Sequence, residues 1–529
     1  MDAIRLILSG ALVGQELAVE FGPLPPALLP VGAHRLYDLQ LAELKGAGPV
    51  HLVLPEHFML SDYDRERLTA LGVEVLPIPE GLRLGEAVVY ALNSLGLGDR
   101  PLHVLHGDTL ILDPPTQAVD AIVGGTSGGD YSWAEIELDG ERIARLDVIP
   151  AGEEGRGRPI AAGYFAFASS LALVRAMTRA RGDFVEGVNA YATERPLSLV
   201  QTGGWLDFGH LQTFFRSRLT VSTARHFNAL AMDGLTARKS SADADKMRAE
   251  ARWLRNAPSD LQIYCARMIE TGEAGGRGFY LTEYEYLPVL SELFVYGAIG
   301  RKAWLRILAS CETFLRLCAA HKGEGSGDAA LASLALDKTF ARLEALAEAG
   351  YDIEHDLSFQ GRPCPSLRRI AEDLGQAMDL QSGRPLSVMH GDFCFSNILY
   401  SARVRRIKVI DPRGSVDGTP SLWGDPRYDL AKFAHSVIGR YDQIIAGRCK
   451  ASVHGGDYAI AFEPLAAQGW LEAALSDVRV DGLGGASREV LAVMTGLFLS
   501  APPLHADRPD RQQAMIANAL RLYLELERS

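Results

Sequence analysis

The sequence predicts two domains of different fold class, an α/β domain followed by an α+β domain. In the first 217 residues, short apolar segments such as 50–54 (VHLVL) and 102–105 (LHVL) alternate with helical stretches. This alternation is typical of α/β proteins with a mainly parallel sheet. We therefore predict an α/β domain over residues 1–217.

The second half has a different pattern. A hairpin-like segment after position 227 and a charged helix at 243–255 are followed by long amphipathic helices, including 329–349 and 511–527. The change in pattern places the domain boundary within 216–226. The predicted organisation is a domain at 1–217, a linker at 218–226 and a second domain at 227–529.

Composition excludes several classes of protein. Of the 529 residues, 47% are hydrophobic and 22% are charged, which is typical of soluble globular proteins. No apolar run reaches the roughly 18 residues that span a bilayer, and residues 1–8 are predicted as a buried strand rather than a signal peptide. A cytoplasmic location is therefore expected. The formal net charge of −13 argues against nucleic-acid binding and favours a small-molecule substrate. The six cysteines have no CxxC spacing and are predicted to be reduced packing residues.

The most informative motif is HGDFCFSN at 390–397, followed after a short gap by IDPRG at 410–414. Transfer of a phosphoryl group to a hydroxyl requires an aligned nucleophile and neutralised phosphate charge. Asp392 would orient the hydroxyl, and Asn397 and Asp411 would ligate Mg²⁺ on the nucleotide. An isolated His-Gly-Asp is usually a turn at a strand end, so the prediction depends on the three residues together.

Two further residues are assigned to the nucleotide. Lys239 could contact the α- and β-phosphates, and Glu250 on the following predicted helix would hold that lysine by an ion pair. Nearby Glu270, Glu283 and Glu285 are alternative partners. No GxGxxG motif precedes Lys239, so the loop that covers the phosphates must be short or built differently. ATP is the default nucleotide, and GTP is left open.

From Phe227 to the C-terminus the chain resembles the aminoglycoside phosphotransferase and choline kinase-like family, whose HGDxxxxN and IDxxG motifs are matched at 390–397 and 410–414. The resemblance implies a bilobal protein-kinase-like fold, ATP and Mg²⁺ as cofactors, and an alcohol group as the acceptor.

Two other segments are similar to parts of the same family. Residues 280–287 (YLTEYEYL) look like the strand that leads into the hinge, where backbone groups bind adenine, and Glu285 there is assigned to the nucleotide site. Residues 424–431 (GDPRYDLA) are similar to the segment after the metal loop. The resemblance implies that Asp429 holds the catalytic loop in place.

The first half contains a second His-Gly-Asp, at 106–108, but position 113 is aspartate rather than asparagine. Residues 24–32 (LPPALLPVG) are similar to the PKxLLPVxGKP segment of sugar-1-phosphate nucleotidyltransferases, and 163–167 and 205–209 resemble a later strand and a metal motif of those enzymes. The resemblance implies a Rossmann-like domain of the glycosyltransferase-A type. Asp108 and Asp207 would hold Mg²⁺ on a nucleoside triphosphate such as CTP; the alternative is that both are surface turn residues.

This half departs from the nucleotidyltransferase signature. Residues 8–16 replace the glycine-rich GxGxR loop, Pro26 stands in place of the signature lysine, and Lys45 is the only lysine before Lys239. A nucleotidyltransferase needs cations against a triphosphate. Arginines such as Arg35 must therefore substitute, or the activity is lost.

The whole chain also resembles two-domain bacterial proteins of capsule or surface-polysaccharide synthesis, through WLDFGH at 205–210 and RKSS at 238–241. The leading hypothesis is a bifunctional enzyme that phosphorylates a sugar, polyol or amino-alcohol and then activates the product as a nucleotide conjugate. The main alternative is a kinase with a catalytically inactive N-terminal binding domain. A non-catalytic scaffold that associates with polysaccharide-synthesis enzymes and an aminoglycoside-resistance kinase are further hypotheses.

Overall fold

The computed structural model describes residues 3–126, 131–152, 157–225, 230–465 and 467–528. The chain divides into two compact units, Met1–Arg218 and Leu219–Ser529, called here the N-terminal unit and the C-terminal unit. Positions 218–225 of the predicted linker continue the helix Leu211–Arg225, and position 226 lies outside the described residues. No helix in the described ranges is both long enough and apolar enough to cross a membrane.

Strands and helices alternate over most of the N-terminal unit. Its strands are β1 (Ile4–Leu8), β2 (Pro30–Val31), β3 (His34–Arg35), β4 (Val50–Pro55), β5 (Val73–Ile78), β6 (Leu102–His106), β7 (Thr109–Ile111), β8 (Ala121–Gly125), β9 (Trp133–Asp139), β10 (Arg142–Ile149), β11 (Ile160–Phe167), β12 (Ser198–Gln201) and β13 (Trp205–Asp207). Its helices are α1 (Gln15–Phe21), α2 (Leu36–Glu43), α3 (Asp62–Ala70), α4 (Leu84–Leu95), α5 (Ser170–Arg179), α6 (Phe184–Glu194) and α7 (Leu211–Arg225).

The central sheet of this unit has the strand order β5-β4-β1-β6-β11-β8-β12-β10-β9. Strands β5, β4, β1 and β6 are mutually parallel, whereas β11 is antiparallel to both of its neighbours. The prediction of a mainly parallel sheet is therefore wrong, because the sheet is mixed. Two residues join β9 to β10, and so short a turn connects only antiparallel strands.

Both faces of this sheet are buried. Along β1, Ile4, Leu6 and Leu8 pack into a core with α4, α5 and α6, while Ile7 packs into a second core with α2 and α3. Every residue of β1 is buried, as expected for a strand that is covered on both sides. The unit therefore has three layers, with the sheet between two layers of helices.

The C-terminal unit combines small sheets with a helical part. Its strands are β14 (Leu230–Met232), β15 (Thr236–Ser241), β16 (Met268–Ala274), β17 (Arg277–Glu283), β18 (Lys322–Ser326), β19 (Leu357–Phe359), β20 (Arg362–Cys364), β21 (Pro385–Val388), β22 (Ile398–Ser401), β23 (Arg406–Val409), β24 (Ser415–Val416), β25 (Thr419–Pro420), β26 (Trp423–Gly424), β27 (Cys449–His454), β28 (Asp457–Phe462), β29 (Arg479–Val480) and β30 (Leu483–Gly484). Its helices are α8 (Ala244–Asn256), α9 (Ser259–Gln262), α10 (Leu290–Val295), α11 (Arg301–Ala320), α12 (Asp328–Leu331), α13 (Lys338–Glu348), α14 (Leu367–Ala377), α15 (Pro426–Val437), α16 (Tyr441–Ile445), α17 (Gln468–Ser476), α18 (Arg488–Ser500) and α19 (Pro509–Leu526).

An antiparallel sheet of order β14-β15-β17-β16 begins the C-terminal unit, and the predicted charged helix, α8, packs on it. The helices α15, α18 and α19 pack together and are almost wholly buried. The one helix predicted over 329–349 is interrupted by a π-helical stretch, Ala332–Asp337, between α12 and α13. Such widened turns are frequent at functional sites.

Candidate active site

The HGD loop follows strand β21 and is held by helix α15. The carboxylate of Asp429 accepts hydrogen bonds from the backbone N–H groups of His390 (2.7 Å) and Gly391 (2.8 Å). Gly391 has a φ of 78°, a conformation that favours glycine. Burial raises the pKa of Asp429 to about 7, although the two N–H groups act in the opposite direction. Asp429 therefore occupies the supporting position that the sequence predicts for it.

Asp392 stands at the tip of this loop between an amine and an amide. Its Oδ1 lies 2.9 Å from Lys432 Nζ, and its Oδ2 accepts a hydrogen bond of 2.8 Å from Asn397 Nδ2. Burial alone would raise the pKa of Asp392, but Lys432 and Arg413 outweigh it and hold that pKa well below its usual range. Asp392 is therefore an ionised carboxylate at neutral pH.

Asp411 follows strand β23 with a left-handed backbone, at a φ of 57°. Its Oδ1 lies 3.0 Å from Lys239 Nζ and 3.0 Å from Tyr280 Oη. The motif glycine, Gly414, lies against helix α8, where an added Cβ would be 2.3 Å from the backbone oxygen of Ala249. The metal loop can pass this close to the helix only because position 414 has no side chain.

Lys239 on β15 and Glu250 on α8 form the ion pair that the sequence predicts, with 2.7 Å between Nζ and Oε2. Burial raises the pKa of Glu250. The pKa of Lys239 is also raised, because the charges of Asp411 and Glu250 outweigh the lowering effect of burial. Tyr280 Oη lies 2.9 Å from Glu250 Oε2 and 3.0 Å from Asp411 Oδ1, and its single hydroxyl hydrogen can be donated to either carboxylate. Tyr280 is not among the site residues predicted from the sequence, because an aromatic residue in a strand normally indicates packing.

Five predicted residues line a single cleft of about 490 Å³: Lys239, Glu250, Asp392, Asn397 and Asp411. Glu285 does not line this cleft. Its carboxylate lies 3.0 Å from Lys408 Nζ, and the same lysine donates to the backbone oxygen of Cys265. Glu285 therefore has a cationic partner of its own beyond the end of β17.

Asn397 and Asp411 suit a magnesium ion, which prefers oxygen ligands. The Nδ2 of Asn397 donates to both the backbone oxygen and Oδ2 of Asp392, so the amide oxygen is the atom left for a ligand. Asp411 uses Oδ1 for Lys239 and Tyr280, and its side chain is 38% exposed. Two protein oxygens are the number that Mg²⁺ commonly takes when nucleotide phosphates and water complete its shell.

The N-terminal unit has a cavity of about 300 Å³ bordered by residues 8–14 and by Asp108. In the pairing of β13 with β7, Asp207 lies opposite Thr109. The carboxylates of Asp108 and Asp207 both lie close to Gly209. Burial raises the pKa of Asp108, and the charge of Asp207 adds to the rise. Asp207 also accepts hydrogen bonds from Thr213 and from the backbone of Gly209. The structure therefore places the two predicted carboxylates side by side.

The described residues that line this cavity include no lysine or arginine, the cations that a nucleotidyltransferase needs against a triphosphate. Arg35, which the sequence analysis offered as a substitute, is buried and pairs with Asp64 at 3.2 Å. It also donates to the backbone oxygen of Leu28 at 2.6 Å, which fixes the guanidinium inside the unit. The expectation that Arg35 could face a triphosphate is therefore wrong.

Comparison with known proteins gives a family match for the part of the chain that contains the cleft of Asp392. The model of the phosphotransferase enzyme family, APH, matches residues 232–459, which include all five cleft residues. The C-terminal unit therefore contains an APH phosphotransferase domain. The protein is an enzyme, a phosphotransferase of the kinase class with an alcohol group as acceptor, as the sequence predicts.

The chain is also similar to solved structures of two kinds. A UTP-bound UGPase from Acinetobacter baumannii is 14% identical, with a TM-score of 0.33, over 43% of this chain and 95% of that one. A thermostable mutant of aminoglycoside phosphotransferase APH(4)-Ia is 11% identical, with a TM-score of 0.37, over 56% and 88%. A putative fructosamine-3-kinase from Haemophilus somnus is 13% identical, with a TM-score of 0.34, over 55% and 83%. At these sequence identities and TM-scores, the similarity gives no information about substrates. No curated protein matches the chain.

Proposed function

We propose that the C-terminal unit transfers the γ-phosphoryl group of ATP to a hydroxyl of a sugar, polyol or amino-alcohol, with Mg²⁺ as cofactor. The observation that carries this proposal is the grouping of Asp392, Asn397 and Asp411 around one cleft with the Lys239–Glu250 ion pair. These are the parts that a kinase site needs, because phosphoryl transfer depends on positioning and on electrostatic stabilisation rather than on covalent chemistry by the protein.

Each side chain has a defined task in this reaction. Asp392 accepts the hydrogen bond of the acceptor hydroxyl and aims its oxygen at the γ-phosphorus. As the new O–P bond forms and the β–γ bridging O–P bond breaks, ADP leaves and the hydroxyl proton passes to Asp392. Because Lys432 and Arg413 depress the pKa of Asp392, this carboxylate is a weak base, and orientation is its main contribution. Lys239, fixed by Glu250, contacts the α- and β-phosphates.

Asn397 and Asp411 would hold Mg²⁺, which neutralises charge on the nucleotide phosphates. We expect acceptor-dependent release of ADP in a coupled assay with a panel of neutral, cationic and anionic hydroxyl compounds. EDTA should abolish the release, and excess Mg²⁺ should restore it. GTP in place of ATP tests nucleotide choice. If no compound raises ADP release above the acceptor-free rate, the proposed function is wrong.

The second candidate function belongs to the N-terminal unit and is nucleotidyl transfer to the phosphorylated product from a triphosphate such as CTP. The adjacent carboxylates of Asp108 and Asp207 favour it, since such a pair can hold Mg²⁺ on a nucleotide. The lack of lysine and arginine among the described residues of the cavity favours the alternative, an inactive domain that only binds a ligand. A role in capsule or surface-polysaccharide synthesis, with association to its enzymes, is the biological setting proposed for either case.

Pyrophosphate release decides between these two functions. The protein would be incubated with its phosphorylated product and each nucleoside triphosphate in turn. For a transferase we expect Asp108→Asn to abolish pyrophosphate release and to leave ADP release by the C-terminal unit unchanged. Absence of pyrophosphate in every pairing, with kinase turnover intact, would establish the inactive alternative.

A further inference from the structure

A second cavity of the C-terminal unit is also lined by Asp392. It has a volume of about 270 Å³ and is called here the basic pocket, after its charged lining of Lys338, Arg342, Arg413, Lys432 and Asp392. Asp392 and Arg413 also line the nucleotide cleft described above. A molecule bound in the basic pocket would therefore have Asp392 within its reach. This makes the pocket a candidate binding site for the acceptor.

The basic pocket has more positive than negative charge. Among the described residues that line it, Asp392 is the one carboxylate, and it is already paired with Lys432. The hydrogen bonds of the two arginines are with neutral groups, although the charge of Arg413 also acts on Asp392. Arg342 donates to the backbone oxygen of Ser500 at 3.0 Å, and Arg413 donates to the backbone oxygen of Gly391 and to Tyr428 Oη. None of these arginine contacts neutralises a charge.

Lys338 is the clearest case of a cation without a counter-ion. Its amine has no hydrogen-bond or ion-pair partner among the described residues, although the side chain is half-buried. Burial, together with the nearby charges of Arg413, Arg342 and Lys432, lowers the pKa of Lys338 to about 7. An anion bound between Lys338 and Arg342 would remove this repulsion and keep the amine protonated.

Helix α13 explains why these two cations face the same space. Lys338 and Arg342 are four residues apart, so they lie on one face of the helix, and the π-helical stretch before Lys338 brings Leu334 into the same lining. Guanidinium and ammonium groups are the usual protein partners of phosphate and carboxylate. A cationic acceptor such as an aminoglycoside would meet uncompensated like charge here.

We propose that the acceptor is itself an anion, a hydroxyl compound that carries a phosphate or carboxylate group, and that Lys338 and Arg342 bind this group while the hydroxyl faces Asp392. This inference rests on the proposed phosphoryl transfer at Asp392 and adds the charge class of the substrate. Lys338 and Arg342 are therefore substrate-binding residues.

Steady-state kinetics on matched acceptors test the charge class. A neutral sugar, its phosphate monoester, its uronate and its amino derivative would be compared at saturating ATP. We expect kcat/KM for an anionic acceptor to exceed that for the neutral and amino compounds by at least tenfold. The phosphate and uronate arms distinguish the two anions. Preference for the amino or the neutral compound would overturn the proposal.

Two variants locate the effect in the basic pocket. Lys338→Met and Arg342→Met should each lower kcat/KM for the anionic acceptor at least tenfold, mainly through KM, and leave the KM for ATP unchanged. Lys302→Met, at an exposed lysine of α11, is the matched control and should behave as wild type. If the pocket variants lower the turnover of neutral and anionic acceptors equally, Lys338 and Arg342 do not bind the anionic group of the acceptor.

A binding measurement separates failure of this inference from failure of the proposed function. Inorganic phosphate would be titrated by calorimetry into the protein saturated with MgADP. Wild type should bind it, and Lys338→Met and Arg342→Met should weaken the binding at least tenfold. No binding by wild type would overturn the anionic pocket even if kinase turnover is present. Binding without turnover of any acceptor would retain the pocket and reject the kinase assignment.

Discussion

Replacement of Asp392 by asparagine is expected to lower kcat by about 10²–10⁴-fold, the range typical for loss of a group that positions and accepts a proton. The amide keeps the shape of the side chain but lacks the negative charge that orients the hydroxyl, and it cannot take the hydroxyl proton. Binding of MgADP should change little, because the nucleotide contacts assigned to Lys239, Asn397 and Asp411 remain. ADP release and calorimetric MgADP titration of wild type and variant would be measured in parallel.

A second variant protects this test against loss of folding. Asp392→Asn leaves the amine of Lys432 without the carboxylate that now lies 2.9 Å away, and a buried charge that loses its partner destabilises a protein. In the double variant Asp392→Asn with Lys432→Met that charge is absent. We expect the double variant to recover thermal stability and to stay inactive. Turnover within threefold of wild type in a folded Asp392→Asn protein would remove Asp392 from the reaction.

The sequence predicts that Asp392, Asn397 and Asp411 lie together, because short-range geometry brings them to one cleft. Asp392 and Asn397 belong to the same loop, and β22 and β23 form a hairpin in which Ile398 pairs with Val409. The backbone N–H of Ile410 donates to the backbone oxygen of Asn397 at 3.1 Å. Asp411 therefore follows directly beside Asn397. A motif of fixed spacing is enough to indicate such a group.

The basic pocket could not be predicted in this way. Lys338 and Arg342 lie on α13, whereas Lys432 lies on α15, and only packing of the helical part brings them to the same cavity. A lysine on an amphipathic helix is normally a solvated surface charge. The spacing of these residues along the chain contains no signal that distinguishes a pocket from a surface.

The N-terminal unit shows a related limit. Alternation of strands and helices correctly indicates an α/β domain, but the direction of a strand depends on its connections and not on its own residues. The antiparallel position of β11 was therefore outside what periodicity can predict. The prediction that Arg35 faces a triphosphate is wrong for a similar reason. Its partner Asp64 is distant in the sequence and adjacent only in the fold.

The proposed kinase site requires that Asn397 and Asp411 act together on one metal–nucleotide complex. The affinity for ADP, measured with and without Mg²⁺, tests this joint action. We expect Asp411→Asn to lower turnover by about 10²–10³-fold, as for loss of a preorganised charge at a phosphoryl group. It should also weaken MgADP binding at least tenfold, while the affinity for ADP in EDTA stays within twofold of wild type.

Asn397→Ala should show the same dependence on the metal. Asp417→Asn, at an exposed aspartate with the same left-handed backbone as Asp411, is the control and should match wild type. Calorimetric titration of all four proteins with ADP, in Mg²⁺ and in EDTA, provides the comparison. A loss of MgADP affinity confined to Asp411→Asn and Asn397→Ala is the predicted result. Equal MgADP affinity in wild type and both variants would show that these two residues do not hold the metal.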